Sequence, residues 1–160
     1  MIFIVGFMGS GKTTVAEQLG EATGYKAVEM DREIERLEGM TIPEMFERYG
    51  EAYFRSAETR FLKGLHGDGI VSTGGGVILQ EENRRILAEG TVVYLRAEWE
   101  TITARLAGDK NRPLWSGASS DKQKRFQERL PYYKEVADIT IDVDKKSPQV
   151  IAEEIQLRLK

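Results

Sequence analysis

One short segment constrains this chain more than anything else in it. Residues 6–13 read Gly-Phe-Met-Gly-Ser-Gly-Lys-Thr, a full match to G-x-x-x-x-G-K-[ST]. The segment follows an apolar run and opens a stretch of helical periodicity, and strand–glycine turn–helix is the context that gives the motif its meaning. Glycines let the backbone curl so that successive N–H groups point at one phosphate without a Cβ in the way. The helix N-terminus adds its positive end. Lys12 can then reach the β- and γ-phosphates of a nucleotide, and the Thr13 hydroxyl can hold Mg²⁺. Gly9, Ser10, Gly11 and Thr14 complete the expected cradle. The plainer alternative is a ligand-free glycine turn, but a chance match in a chain this long is on the order of one in a hundred or less.

Around that segment, strand and helix patterns alternate from end to end, the signature of an α/β fold with a mainly parallel sheet. Residues 1–5, 26–30, 70–73, 91–95 and 139–143 are short apolar or β-branched runs and make five candidate strands. The first and fourth are nearly continuous in apolar residues, as expected where both faces of a strand are covered. Helices are expected from about Gly11 to Gly24, from Thr41 to about Tyr49, and over residues 51–65, 81–89 and 98–107. Thr41 and Glu44 have the spacing of a capping box. Ser147-Pro148 opens a last helix with Ile151, Ile155 and Leu159 on one stripe. Residues 108–120 mix Gly, Asp, Lys, Asn, Arg, Pro and Ser, and a long polar loop of this kind is either a functional lid or disordered. At 160 residues, with no repeat or linker, the chain reads as one domain.

Composition removes several classes of function. A formal net charge of -3 gives no reason to expect a nucleic-acid partner, so an anionic substrate must be caught by local arginines rather than a global field. The absence of cysteine excludes disulfide and thiol chemistry and fits a reducing cytoplasm. The N-terminal apolar run is too short to span a bilayer and lacks a basic flank, which points to a cytosolic strand. No [NT]-K-x-D element for reading guanine is found, so a GTPase switch loses ground. No separate strand ends in a Mg²⁺-orienting Asp either. The carboxylates near the phosphate motif are Glu29 and Asp31, at the end of the second strand, where the ends of parallel strands converge on a ligand crevice.

Three features suit a small hydroxylated acid, each with a structural alternative. Asp31 can orient or deprotonate an acceptor hydroxyl, or simply cap the helix that follows. Arg55 lies one turn ahead of Glu58, so Glu58 can hold the guanidinium for bidentate capture of a carboxylate, or the two can form a surface pair. Gly74, Gly75 and Gly76 permit a close approach of backbone N–H groups to an anion, or a flexible turn. His66, the only histidine, reads as solvated, and Trp99, Tyr132 and Tyr133 read as packing.

The ordered set of motifs resembles one family over nearly the whole chain. GFMGSGKTT at residues 6–14 is followed by MDREIE at 30–35, GMTIPEMFERYGEAYFRSAE at 39–58 and STGGGV at 72–77, then RPLW at 112–115 and RLPYYKEVAD at 129–138. This is similar to the shikimate kinase family. The resemblance implies a single kinase domain over residues 1–160, with a parallel five-stranded sheet ordered 2-3-1-4-5 flanked by helices. It implies acceptor-binding helices at about residues 32–65 and a mobile lid at about 108–124. It implies ATP and Mg²⁺, with shikimate as acceptor. By motif position Asp31 matches the hydroxyl-binding Asp, Arg55 and Arg129 the carboxylate pair, Gly74, Gly75 and Gly76 the acceptor-side backbone site, and Phe46 and Phe54 the ring-packing pair. Arg112 matches a lid arginine that reaches the transferring group. Arg105 and the turn around Ser147 match the two sides of the adenine site. A monomeric cytoplasmic enzyme with no nucleic-acid or membrane partner is expected. Two positions depart from the family pattern. Glu29 stands where a water-mediated metal-binding Asp is usual, and Trp115 stands where the lid usually has Leu. Another small-metabolite kinase of the same fold, such as a gluconate kinase, and a nucleotide-binding regulatory module are the readings that compete.

Overall fold

The structure is a computed structural model and describes residues 1–106 and 119–159. Its centre is a sheet of five parallel strands in the order β2-β3-β1-β4-β5, formed by β1 (Ile2–Val5), β2 (Ala27–Glu29), β3 (Ile70–Ser72), β4 (Thr91–Arg96) and β5 (Ile139–Asp142). All five expected strands are present, in the expected order. β1 lies in the middle and is buried throughout, which is why its sequence is uninterrupted apolar.

Among the described residues eight α-helices surround the sheet: α1 (Lys12–Thr23), α2 (Met30–Glu38), α3 (Ile42–Tyr49), α4 (Glu51–Lys63), α5 (Glu81–Leu87), α6 (Trp99–Leu106), α7 (Ser119–Val136) and α8 (Pro148–Leu159). α1 packs against α8, and α4 against α2, α3 and α5. α3 opens with the expected capping box: the Glu44 N–H donates to the Thr41 hydroxyl oxygen while the Glu44 carboxylate accepts from the Thr41 N–H. The Val150 N–H donates to the Ser147 hydroxyl oxygen at 3.2 Å, so Ser147 caps α8.

Two elements differ from the sequence expectation. α2 begins at Met30, so Asp31 lies inside its first turn, with Glu29 rather than Asp31 at the cap position and no side-chain cap bond from it. The expected lid falls mostly on residues outside those described, but 119–124 form the first turns of α7. α7 itself was not expected, because Pro131 lies within it and its N-terminal half is almost entirely polar. What holds it is a stripe of Phe126, Leu130 and Tyr133, spaced four and three apart and packed against the core.

Register brings the functional ends together. Glu29 pairs with Ser72, and Ile4 pairs with the same Ser72, so the carboxyl ends of β2, β3 and β1 finish at one level. Thr73 extends β3 by donating both its N–H and its hydroxyl to the Ile4 carbonyl, at 3.1 and 2.8 Å. Every loop that carries a candidate residue from these strands leaves from this edge.

Candidate active site

The phosphate end is built on the β1–α1 turn. Gly9 and Gly11 have φ of 83° and 92°, the left-handed region that costs other residues steric strain. Lys12 is buried, and its Nζ donates to the carbonyls of Gly6 and Phe7 at 2.8 and 3.0 Å, so the ammonium lies within the curl of the turn. The C-terminal end of α6 closes over it. Arg105 donates to the Gly9 carbonyl at 3.1 Å, and a Cβ on Gly9 would stand 2.9 Å from Leu106 Cγ. The Thr13 hydroxyl lies 3.3 Å from that of Ser72. A cavity of about 230 Å³ is walled by the phosphate turn, Glu29, Asp31, Ser72, Gly75 and Arg105. It thus joins the sequence-predicted phosphate residues to both strand-end carboxylates.

These groups fit a nucleotide and its cation. Successive amides with Lys12 suit phosphate oxygens, and the buried Ser10 hydroxyl has no hydrogen-bond partner among the described residues. Thr13 and Glu29 offer oxygen donors of the kind a hard divalent cation takes. Among the described residues no group of three or more His, Asp or Glu side chains could hold a metal alone. The donor set therefore suits a cation shared with phosphate oxygens rather than a protein-only cage.

The acceptor end is assembled by α4, the glycines after β3, and α7. The Arg55–Glu58 pair is no surface contact: Arg55 is 6% exposed and Glu58 0%. Arg55 Nη1 donates to Glu58 Oε1 at 2.8 Å and Nε to Glu51 Oε2 at 3.2 Å, which fixes the guanidinium plane. Burial works against the Arg55 charge, but Glu58 and Glu51 outweigh it and hold the group above its ordinary value. Burial also pushes the Glu58 carboxyl up to about 7, against the pull of Arg55 and with a contribution from the Asp31 charge. Phe54 lies beneath the Arg55 guanidinium, 5.3 Å from ring centroid to Cζ, and Phe46 packs on Phe54 at 5.4 Å.

The triple glycine is the floor of this arrangement, because side chains press on all of it. A Cβ on Gly74 would stand 2.9 Å from both Asp31 Oδ1 and Glu58 Oε2, and one on Gly76 would stand 2.7 Å from Arg55 Cζ. Gly75 faces Arg129, whose Nη1 is 3.6 Å from the position of a Cβ there. Arg129 is 4% exposed and lies over the Phe7 ring at 5.6 Å. Burial lowers its pKa, and the charges of Arg55 and Arg125 add to that. Arg55 Nη2 and Arg129 Nη1 are buried without a hydrogen-bond partner among the described residues. Two desolvated guanidiniums with spare donors beside one glycine segment are suited to a carboxylate.

Of the sequence-predicted residues, Asp31, Arg55, Glu58, Gly74, Gly75, Gly76 and Arg129 thus meet at one place, with Phe46 and Phe54 against Arg55. Lys12, Thr13, Glu29 and Arg105 meet at the adjoining one. Ser147 caps a helix, and Arg112 lies outside the described residues. Sequence reading missed Ser72 and Thr73 as cavity wall, Glu51 as a second partner of Arg55, and Tyr133. The last donates its buried hydroxyl to the Gly75 carbonyl. Its spacing of four from Arg129 on a helix was the available signal.

A glycine turn around a buried lysine, two strand-end carboxylates and a buried arginine pair at one sheet edge are the arrangement of a P-loop kinase. The family model for shikimate kinase matches residues 8–160. A shikimate kinase of Persephonella marina is 41% identical over 162 residues, covering 99% of this chain and 98% of the relative. That of Chromobacterium violaceum is 42% identical over 154 residues, covering 93% and 84%. The solved shikimate kinase of Acinetobacter baumannii in complex with shikimate superposes with a TM-score of 0.94 at 41% identity, over 99% of this chain and 92% of that one. The chain belongs to the shikimate kinase family, whose members are ATP-dependent transferases that use Mg²⁺.

Proposed function

We propose that this protein transfers the γ-phosphoryl group of ATP to the 3-hydroxyl of shikimate, giving shikimate 3-phosphate and ADP. The observation that carries the reading is the convergence of Asp31, Arg55 and Arg129 on residues 74–76, next to the phosphate cavity. The bond from the γ-phosphorus to the bridging oxygen of ADP breaks as the bond to the acceptor oxygen forms. Asp31 orients the acceptor hydroxyl and accepts its proton. Arg55 and Arg129 hold the acceptor carboxylate, Phe46 and Phe54 pack its ring, and Glu58 keeps Arg55 in its plane. Lys12 and the amides of residues 9–14 hold the phosphates, Arg105 and the turn at Ser147 flank the base, and Thr13 and Glu29 are the residues that would hold the cation. When bound, Mg²⁺ neutralises charge on the phosphate oxygens. Arg112 adds positive charge at the transferring group, and the lid of residues 108–124 closes to exclude water.

No described helix is long and apolar enough to cross a membrane. A net charge of -3 gives nucleic acid no field to bind. We infer a monomeric cytoplasmic enzyme of one domain. The test is ADP release from MgATP with shikimate, quinate, gluconate or no acceptor, beside Arg55→Ala. Shikimate-dependent turnover that falls at least a hundredfold in the variant is expected. Turnover with gluconate instead would overturn the acceptor, and nucleotide binding without turnover on any acceptor would make the chain a regulatory module.

A further inference from the structure

Tyr133 is wholly buried, and its ring stacks on Tyr94 of β4 with centroids 5.2 Å apart and planes at 21°. Packing alone would account for a phenylalanine. The hydroxyl has a different task, because it donates to the carbonyl of Gly75, the middle glycine of the floor. A phenol has one proton, so with that proton committed to Gly75 the oxygen offers lone pairs only. The guanidinium of Arg129, one turn earlier on α7, faces the same glycine: its Nη1 lies 3.6 Å from the place of a Cβ on Gly75, and Tyr133 acts against the burial that lowers its pKa. Burial holds the Tyr133 pKa well above its ordinary value, so the phenol keeps its proton at working pH.

α7 grips the same segment a second time. Arg84 donates to the Ile78 carbonyl at 2.7 Å, pairs with Glu135 at 3.3 Å and lies over the Tyr132 ring at 4.7 Å. The glycine floor and α7 are therefore fastened on both sides of residues 75–78. The Tyr133 fastening falls on the glycine that Arg129 faces.

We propose that Tyr133 is a positioning residue for phosphoryl transfer: its hydroxyl ties the Gly75 backbone to α7 and so fixes the glycine floor relative to the Arg129 guanidinium one turn away. The proposal rests on the reading of Arg129 and residues 74–76 as the acceptor site. Arg129 carries its donors under the repulsion of Arg55 and Arg125, and a floor tied to its own helix keeps those donors and Gly75 in one register.

The experiment is steady-state kinetics, with shikimate and MgATP varied separately, on Tyr133→Phe, Arg129→Lys and the double variant, with thermal midpoints for each. Tyr133→Phe keeps the ring on Tyr94 and removes one buried hydrogen-bonding group. It should raise KM for shikimate about tenfold while kcat and KM for ATP stay within about twofold. The double variant should be no more than about twofold worse than Arg129→Lys, because both changes break one linkage. An unchanged KM for shikimate in Tyr133→Phe, alongside a raised one in Arg129→Lys, overturns the proposal and leaves the site reading intact. A uniform loss in kcat and both KM values with a lowered midpoint makes the hydroxyl merely structural and also overturns it. If Arg129→Lys itself leaves KM for shikimate unchanged, the site reading fails and this inference falls with it.

Discussion

Glu58 is a carboxyl group shut off from bulk solvent, held between the Arg55 guanidinium and the Asp31 charge. Its pKa of about 7, above the ordinary 4.5, has two consequences of opposite sense. The contribution to stability is fully present below 4.5 and is lost as pH rises through about 7, because the fold favours the neutral acid. Arg55, by contrast, is held best by the ionised form, so KM for shikimate should fall over the same interval. Glu58→Gln should flatten both profiles: urea unfolding at pH 5.5 and 8 would then differ less than in the parent, and KM would no longer improve with pH. A parent KM flat across that range would refute the assignment. Gly76 gives a second test at this scale. Its φ of −97° is open to any residue, so alanine there is not strained by its backbone. The methyl would instead stand 2.7 Å from Arg55 Cζ and Nη2 and displace the guanidinium. Gly76→Ala should raise KM for shikimate about tenfold or more with KM for ATP unchanged. Equal effects on both substrates would mean that the loop, not the arginine, was disturbed.

Elements differ in how far the sequence announces them. The strands were legible because each is a short β-branched run whose ends abut glycine or charge, and α3 because its capping box is written in two residues. α7 was not legible: Pro131 argues locally against a helix, and only Phe126, Leu130 and Tyr133 argue for one, at a distance, through burial. The acceptor site followed the same division. Arg55 and Glu58 lie one turn apart and can be paired on paper, whereas the Tyr133 contact with Gly75 joins segments that only the folded sheet brings together. α6 shows a further illegible device, a cap supplied from elsewhere in the chain. Asp144, in the loop after β5, accepts from the Glu98 N–H at 3.1 Å and from the Thr101 hydroxyl at 2.5 Å. It thereby fixes the start of the helix whose last turn lays Arg105 across the phosphate loop. Asp144→Ala should cost about 1 kcal/mol of stability by denaturant titration. KM for ATP should rise roughly threefold while KM for shikimate is unmoved, since the last turn of α6 bears on the phosphate loop. A raised KM for shikimate would show that the two ends are coupled through α6.

Across the whole molecule, the sheet sets two charge problems side by side and solves neither by net charge. The chain carries -3, yet its proposed acceptor site sets the Arg129 guanidinium on α7 against the charges of Arg55 on α4 and Arg125 on α7. That repulsion is a standing cost of the unliganded fold, and an acceptor carboxylate between the guanidiniums removes it. Shikimate alone, without nucleotide, should therefore stabilise the protein globally. At a concentration one hundred times its Kd, linkage gives about 2.7 kcal/mol. For a chain of this size that is a rise in Tm of roughly 5–10 °C. Both Arg55→Ala and Arg129→Ala should lose most of this rise, and the methyl ester of shikimate should fail to produce it in the parent, because an ester has no charge to place between the two arginines. Differential scanning fluorimetry across a shikimate titration reads all of these shifts. A full stabilisation by the ester would show that ring packing on Phe46 and Phe54, rather than relief of the paired arginines, is what joins α4 to α7.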